Sequence, residues 1–396
     1  MESVFSYCVQ GNSLWRKFVQ PRPTAILHSG SLTSNSETAF YLLTAHTLYH
    51  CISSDSGSEC DKEAALDWTT LAPFEERSVA GIKYGFSLKA KGETVDFYTI
   101  TAEELSIWVE FLEVYCVLTD IDDDYTLIRQ IGVGGQAQVY LAESLSSEKR
   151  VAIKRYTKVY LMEQAKRLES LVCEIKILRK CSHPHIVQLY QVYEDEQVVS
   201  LVMEYIPGEE LYKNFLHHGR FHSSEAKQFS ANLLDLLEYL ESVHIVHRDL
   251  KPENIMIPDH TNRADFKVID FGFAMEYTGQ AICDSCGSPG YIAPEVINER
   301  RHDASVDLYS AGVILYVALY GHSPFFAESR KEVLRLNAAG VIRYDVHRPE
   351  EKLAQLIISM TAFDPLQRGS IPHLRRLLAG CYLLQPIDSL PFTRSQ

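Results

Sequence analysis

Three side chains within six residues set the chemistry this chain can perform. In His247-Arg248-Asp249-Leu250-Lys251-Pro252-Glu253-Asn254, Asp249 is a carboxylate able to orient a hydroxyl and accept its proton. Lys251 is a cation able to neutralise charge on a group in flight, and Asn254 carries an amide oxygen able to reach a metal ion. A base, a cation and a metal ligand on one loop suit phosphoryl transfer, which depends on positioning and charge neutralisation more than on covalent chemistry.

Residues on both sides extend the pattern. Upstream, Ile131-Gly132-Val133-Gly134-Gly135-Gln136-Ala137-Gln138-Val139 follows a strand-like run, Tyr125–Ile131. Glycines there let backbone N–H groups approach phosphates. Val151-Ala152-Ile153-Lys154 reads as a buried strand ending in a cation, and Leu171, Ile175 and Leu178 share one helical face around Glu174. Downstream, Val268-Ile269-Asp270-Phe271-Gly272 supplies a second hard oxygen, and Asn254 with Asp270 suits Mg²⁺.

In this order and spacing, these stretches resemble the protein kinase family, over residues 125–383. The loop around Asp249 matches its H-R-D-x-x-x-x-N signature, and Val151–Lys154, Asp270–Gly272 and Ala293-Pro294-Glu295 match V-A-I-K, D-F-G and A-P-E. The resemblance implies an α+β, bilobal protein-kinase fold with a β-rich N-lobe and a helical C-lobe. It implies ATP and Mg²⁺ as cofactors. Asp249 would be the base, Lys251 would stabilise the transferring group, and Lys154, paired with Glu174, would hold the α- and β-phosphates. Ile131–Val139, Ala152, Met203 at the gatekeeper position, Glu204 and Ile206 of a hinge, and Met256 would contact the nucleotide. The third loop glycine is replaced by Ala137, and Gly135 is an extra glycine. Glu295 would pair with Arg368, and Asp307 would bind backbone near the catalytic loop.

Lys251 and the run Gly287-Ser288-Pro289-Gly290-Tyr291 have the serine/threonine form. The motifs look most like the calcium/calmodulin-dependent group. Glu210 and Glu253 match positions that hold an arginine three residues before the target in basophilic members, and by the same resemblance Ser288 would lie beside the substrate. On the activation segment Asp270–Glu295, Arg248 would meet a phosphate. Asp284 stands where relatives carry the phosphorylated threonine, while Thr278 and Ser285 remain candidates for phosphorylation. Cys283 and Cys286 form C-x-x-C, read as two unrelated thiols. An alternative reading is a catalytically inactive kinase-fold scaffold recruited through its N-terminal domain.

Residues 1–119 alternate strand-like runs with turn signals. Expected strands are Ser3–Val9, Thr24–His28, Ala39–His50, Ala80–Ala90 and Thr94–Ile100, with Ser29–Ser36 and Ser53–Cys60 as loops. Leu105, Trp108, Phe111 and Leu112 then fall at helical spacing behind a Thr101–Glu104 capping box. The pattern resembles a pleckstrin-homology domain, a small β-barrel plus a C-terminal helix. Its ligand is left open between a phosphoinositide and a protein. The segment holds 8 Lys+Arg against 15 Asp+Glu, which opposes attraction to an anionic leaflet. Residues 120–124 form a short acidic linker of small reach, motivating regulation of the second domain by the first. Residues 384–396 are a short tail.

The formal net charge of −14 argues against nucleic acid as a partner. Nine scattered cysteines read as reduced thiols. The N-terminus lacks the features of a signal peptide, and the apolar run Gly312–Leu319 is too short to span a bilayer. The expected location is cytoplasmic, with membrane recruitment or the nucleus left open, and the expected partners are proteins bearing Ser or Thr.

Overall fold

The computed structural model describes residues 3–7, 13–21, 23, 25–55, 59–79, 81–90, 92–134, 137–342 and 351–382. The chain divides into two compact units, Met1–Val172 with Gln188–Tyr205, and Cys173–Val187 with Ile206–Gln396. Among the described residues no helix is long and apolar enough to cross a membrane.

The first unit is built on one open sheet. Its strands are β1 (Arg16–Pro21), β2 (His28–Ser34), β3 (Glu37–Thr44), β4 (Thr47–Cys51), β5 (Glu59–Ala65), β6 (Thr70–Ser78), β7 (Gly81–Ala90) and β8 (Glu93–Thr99). Helix α1 (Ala102–Leu112) and the short β9 (Val117–Leu118) follow. Next come β10 (Tyr125–Val133), β11 (Gln138–Ser144), β12 (Arg150–Thr157), α2 (Lys158–Met162), the start of α3 (Ala165–Lys180), β13 (Leu189–Glu194) and β14 (Val198–Glu204). The order is β1-β5-β4-β3-β2-β8-β7-β6-β9-β13-β14-β12-β11-β10. The strand β9 joins the halves. It pairs in parallel with β6 on one side, through Thr70↔Val117, and with β13 on the other, through Val192↔Val117.

Helix α1 forms where its capping box predicts. The Thr101 hydroxyl accepts from Glu104 N (3.1 Å), and the Glu104 carboxylate accepts from Ile100 N (3.0 Å). Its buried face is Leu105, Trp108 and Leu112. These pack with Leu32, Tyr41, Leu43, Phe86 and Phe97 into one core that continues through Leu118 and Ile121 to Val151 and Ile153. The expected linker therefore contributes to the core, through Ile121.

Several N-terminal expectations are corrected. Val4–Tyr7 is a turn of 3-10 helix, not a strand, with Val4 and Phe5 buried; residues 8 and 9 lie outside the described residues. The Ser/Gly-rich stretch expected as a loop is strand β2. Only its Leu32 is deeply buried, and Gly30 lies against the Trp108 ring, where a Cβ would stand in ordinary contact, 3.4 Å from the indole. Ala39–His50 is a hairpin of two strands, turning at residues 45 and 46. Strands β5 and β6 have no simple alternation of apolar residues to announce them.

The second unit is mainly helical. In chain order it holds β15 (Glu209–Glu210), α4 (Leu211–His218), α5 (Ser223–Ser242), β16 (Ile245–Val246), β17 (Ile255–Ile257), β18 (Lys267–Val268), β19 (Met275–Glu276) and α6 (Pro294–Ile297). It closes with α7 (Ser305–Tyr320), α8 (Arg330–Ala339), α9 (Glu351–Met360) and α10 (Ile371–Tyr382). Helix α7 is apolar nearly all round and almost wholly buried, as a central helix must be. The three-stranded sheet β15-β17-β18 and the two-stranded ribbon β16-β19 carry the loops between helices.

Candidate active site

In the second unit the catalytic-loop residues converge. Helix α7 holds the loop from beneath: one Asp307 oxygen accepts from His247 N (2.6 Å) and the other from Arg248 N (2.8 Å). Burial pushes the Asp307 carboxyl above its ordinary range, opposed by His247 and by the two backbone N–H groups. Arg248 has φ +66°, a conformation that costs energy for any residue but glycine and persists only where neighbours impose it. A Cβ on Gly287, itself at φ +116°, would stand 2.9 Å from the Arg248 carbonyl oxygen, so the activation segment passes where only glycine fits.

Asp249 is buried, and two side chains orient it. Lys251 Nζ donates to its Oδ2 (2.7 Å) and to Ser288 Oγ (2.7 Å). Asn254 Nδ2 donates to the Asp249 carbonyl (2.9 Å) and to Oδ2 (3.2 Å). Asp249 Oδ1 is buried and has no hydrogen-bond partner among the described residues. Such an acceptor carries a desolvation cost that an incoming hydroxyl donor would relieve.

The ribbon β17–β18 brings the second oxygen ligand alongside. Ile255 pairs with Val268, and Ile269 N donates to the Asn254 carbonyl (3.0 Å), so Asp270 begins one residue beyond the pair. Both side-chain hydrogen bonds of Asn254 among the described residues are made by its amide nitrogen, which leaves the amide oxygen as the atom to offer a cation. Asp270 Oδ1 accepts from Gly272 N (3.3 Å). A Cβ on Gly272 would stand 3.4 Å from that oxygen and 3.9 Å from Glu174 Oε2, so Glu174, buried on α3, gathers with Asp270. The hard-oxygen donors fit Mg²⁺. His247 packs edge-on against Phe271 (4.8 Å).

Farther out, Arg368 grips Glu295 with two bonds, Nη1–Oε1 at 2.6 Å and Nη2–Oε2 at 2.7 Å, both side chains buried. Ile206 is buried and Met256 half-buried on β17. Glu210 ends β15 at the N-cap position of α4 and pairs with Lys213 (2.8 Å), while Glu253 is exposed. Thr278, Asp284 and Ser285 are exposed, and Ser285 Oγ donates to the Val296 carbonyl (3.2 Å). Arg248 Nε donates to the Phe273 carbonyl (2.7 Å), its Nη1 is buried without a partner, and no ion pair joins it to Asp284 among the described residues. Cys283 is exposed and Cys286 partly buried, with no contact between their sulfurs among the described residues.

In the first unit the phosphate-loop candidates form a hairpin. Gly132 faces Val139 and Val133 faces Gln138, and Gly134 N donates to the Ala137 carbonyl (2.9 Å). Ala137 is buried, and Ile131 and Gln138 are exposed. Gly135 and Gln136 lie outside the described residues. Lys154 stands in register with Val139 on β11 and Leu201 on β14. Ala152 is opposite Met203, and Val151 is opposite Glu204.

A further buried constellation lies in the first unit. Lys158, at the start of α2, and Glu194, at the end of β13, form a buried ion pair of 2.8 Å. The same carboxylate accepts from Val4 N (2.6 Å) and from the Ser3 hydroxyl. A lone Lys and a lone Glu far apart in sequence give no signal of such a pair.

The model of the protein kinase domain family matches residues 125–377. A calcium/calmodulin-dependent protein kinase type 1 of Macrobrachium nipponense is 34% identical over 226 residues, covering 57% of this chain and 65% of the relative. Myosin light chain kinase A of Dictyostelium discoideum is 33% identical, covering 54% and 73%. CBL-interacting protein kinase 26 of rice is 35% identical, covering 65% and 52%. The chain thus spans between about half and three quarters of the length of these relatives.

Proposed function

Because the chain belongs to the protein kinase family, we propose that it transfers the γ-phosphoryl group of ATP to serine and threonine hydroxyls of proteins. The observation that carries the reading is the Asp249 carboxylate. Lys251 and Asn254 hold one oxygen, and the other is buried and ready to accept. Asp249 orients the hydroxyl and takes its proton, with a contribution of about 10²–10⁴ expected of a positioned base. Lys251, shared between Asp249 and Ser288, neutralises the group in transit and ties the acceptor's loop to the base. Lys154 holds the ATP phosphates, with Glu174 as its partner. Residues 131–139, Ala152, Met203, Glu204, Ile206 and Met256 contact the nucleotide. Asn254 and Asp270 would hold Mg²⁺, which supplies charge neutralisation at the phosphates.

Finer features belong to the same proposal. The shared serine contact of Lys251 favours Ser/Thr acceptors, and Glu210 and Glu253 favour arginine three residues before the target. The domains are residues 1–119, a linker 120–124, the kinase domain 125–383 and a tail 384–396, most of which lies outside the described residues. The N-terminal domain is pleckstrin-homology-like: strands β2, β3, β4 and β5 pair successively, and Trp108 of α1 seals the core. It regulates the kinase domain. The joint strand β9 and the Glu194 cluster support that reading. Its ligand is a protein or a phosphoinositide headgroup, and the protein acts in the cytoplasm.

The test is phosphate transfer by the full chain from ATP and Mg²⁺ to a panel of Ser, Thr and Tyr peptides, with Asp249→Asn as control. Phosphoserine and phosphothreonine products, reduced about 10²–10⁴-fold in the variant, are expected. Absence of transfer to every Ser and Thr peptide, or equal rates in the variant, would overturn the reading.

A further inference from the structure

We propose that Cys51 and Cys60 form a redox site of the N-terminal domain, a dithiol that closes reversibly to a disulfide across the β4–β5 hairpin. The two residues face each other directly in the antiparallel ladder. Directly opposed residues have Cα atoms about 4.5–5.5 Å apart, inside the range of about 4.4–6.8 Å that a disulfide requires. Their sulfurs are 2.7 Å apart, and both residues are buried, at 1% and 0% exposure. Leu42, Phe40 and Tyr49 surround them in a small cluster separate from the main core. No backbone movement is needed to bring the sulfurs into bonding range.

The register is made for this pair. From Thr47↔Ala65 to His50↔Lys62 the hairpin runs in one register, which if continued would set Cys51 opposite Asp61. A bulge shifts the ladder by one residue and sets Cys51 opposite Cys60 instead. The displaced Asp61 is held by a short hydrogen bond with His50 Nδ1. The C-x-x-C motif at Cys283 and Cys286, which sequence singles out, brings no such pair together. The sulfurs that meet are spaced nine residues apart and carry no motif.

A peroxide completes the chemistry. One thiolate attacks the O–O bond of hydrogen peroxide, forming a sulfenic acid and releasing hydroxide, which takes up a proton to become water. The second thiol, losing its proton, attacks that sulfur, and the hydroxyl leaves as water. The S–S bond forms, the thiols lose two electrons and two protons in all, and the peroxide is reduced to two waters. Access comes from the loop end of the hairpin. Cys51 is the last residue of β4, and one further bond, Ile52 N to the Glu59 carbonyl at 3.1 Å, closes it. A pair beside a loop opens locally more readily than one inside a strand. A dithiol reductant reverses the reaction by exchange.

The test uses the unmodified full chain. It is treated with hydrogen peroxide, unfolded in the presence of an alkylating agent and digested, and the peptides are mapped by mass. The expected product is a peptide pair linked through Cys51 and Cys60, lacking two hydrogens and restored to two alkylated cysteines by prior dithiothreitol. Recovery of both cysteines as alkylated thiols, under peroxide exposure that oxidises exposed Cys283, would overturn the proposal. So would linkage of either one to another cysteine. A Cys51→Ser chain supplies a second readout, since its Cys60 must then appear unlinked. None of these outcomes depends on phosphoryl transfer.

Discussion

The Glu194 carboxylate lies 2.8 Å from the Lys158 ammonium and 2.6 Å from the backbone nitrogen of Val4. One buried oxygen thus ties the first residues of the chain to the strand β13 and to the start of α2. Phe5, next in sequence, is fully buried and stacks on Trp68 at 4.9 Å. The N-terminal segment is packed into the nucleotide-lobe sheet, and the strand β9 repeats the connection through its backbone.

Replacing Glu194 by Gln removes the charge that Lys158 needs while buried. Loss of one partner of a buried ion pair costs about 3–5 kcal/mol, lessened here by the bonds glutamine retains. The expected outcome is a fall of about 2–4 kcal/mol in urea-unfolding stability. Faster proteolysis within residues 3–7 should accompany it. An unchanged denaturation midpoint would show that the pair is solvated.

Arg368→Lys keeps the charge but not the fork that grips both Glu295 oxygens. Since both side chains are buried, a loss of about 2–4 kcal/mol is expected. The check is thermal unfolding beside Arg368→Met, whose larger drop should reflect a wholly unpaired Glu295.

Glu210→Ala should lower kcat/KM for peptides with arginine three residues before the target by about tenfold, the worth of one charge-assisted hydrogen bond. Peptides lacking that arginine should be unaffected. Equal losses on both peptides would assign Glu210 to structure, through its bond with Lys213.

Asp284→Asn tests the activation segment. Among the described residues Arg248 Nη1 is buried without a partner, Asp284 is exposed, and no ion pair joins the two for the substitution to break. Turnover of the unphosphorylated chain is expected to change by less than about twofold, within the range of an ordinary surface substitution. A tenfold loss in steady-state assays would mean that Asp284 supplies charge to Arg248 during turnover.

Thiol labelling has a pH signature. Burial pushes the Cys181 thiol up to about 12, with the Lys180 ammonium opposing, so it stays protonated at pH 8 and gains nucleophilic thiolate only in strong alkali. Exposed Cys283 should be alkylated first at pH 8 and Cys181 only after unfolding, as peptide mapping would read.

The meeting of three side chains on one loop was legible because it is local. Asp249, Lys251 and Asn254 lie within six residues, and their mutual bonds follow from that spacing. Helix α1 was legible because its cap and its buried face repeat at helical intervals. Strand β2 was not, because a strand that buries little beyond Leu32 has the composition of a loop.

By itself the sequence determined which groups could hold phosphate, take a proton and offer oxygen to a cation, since those depend on residue type and short spacing. Tertiary structure alone decided the rest. It set Lys158 on Glu194, turned Cys51 toward Cys60 through a one-residue bulge, and made an acidic linker part of a core. Each of these joins residues through pairing or burial, and neither leaves a local trace in the order of amino acids.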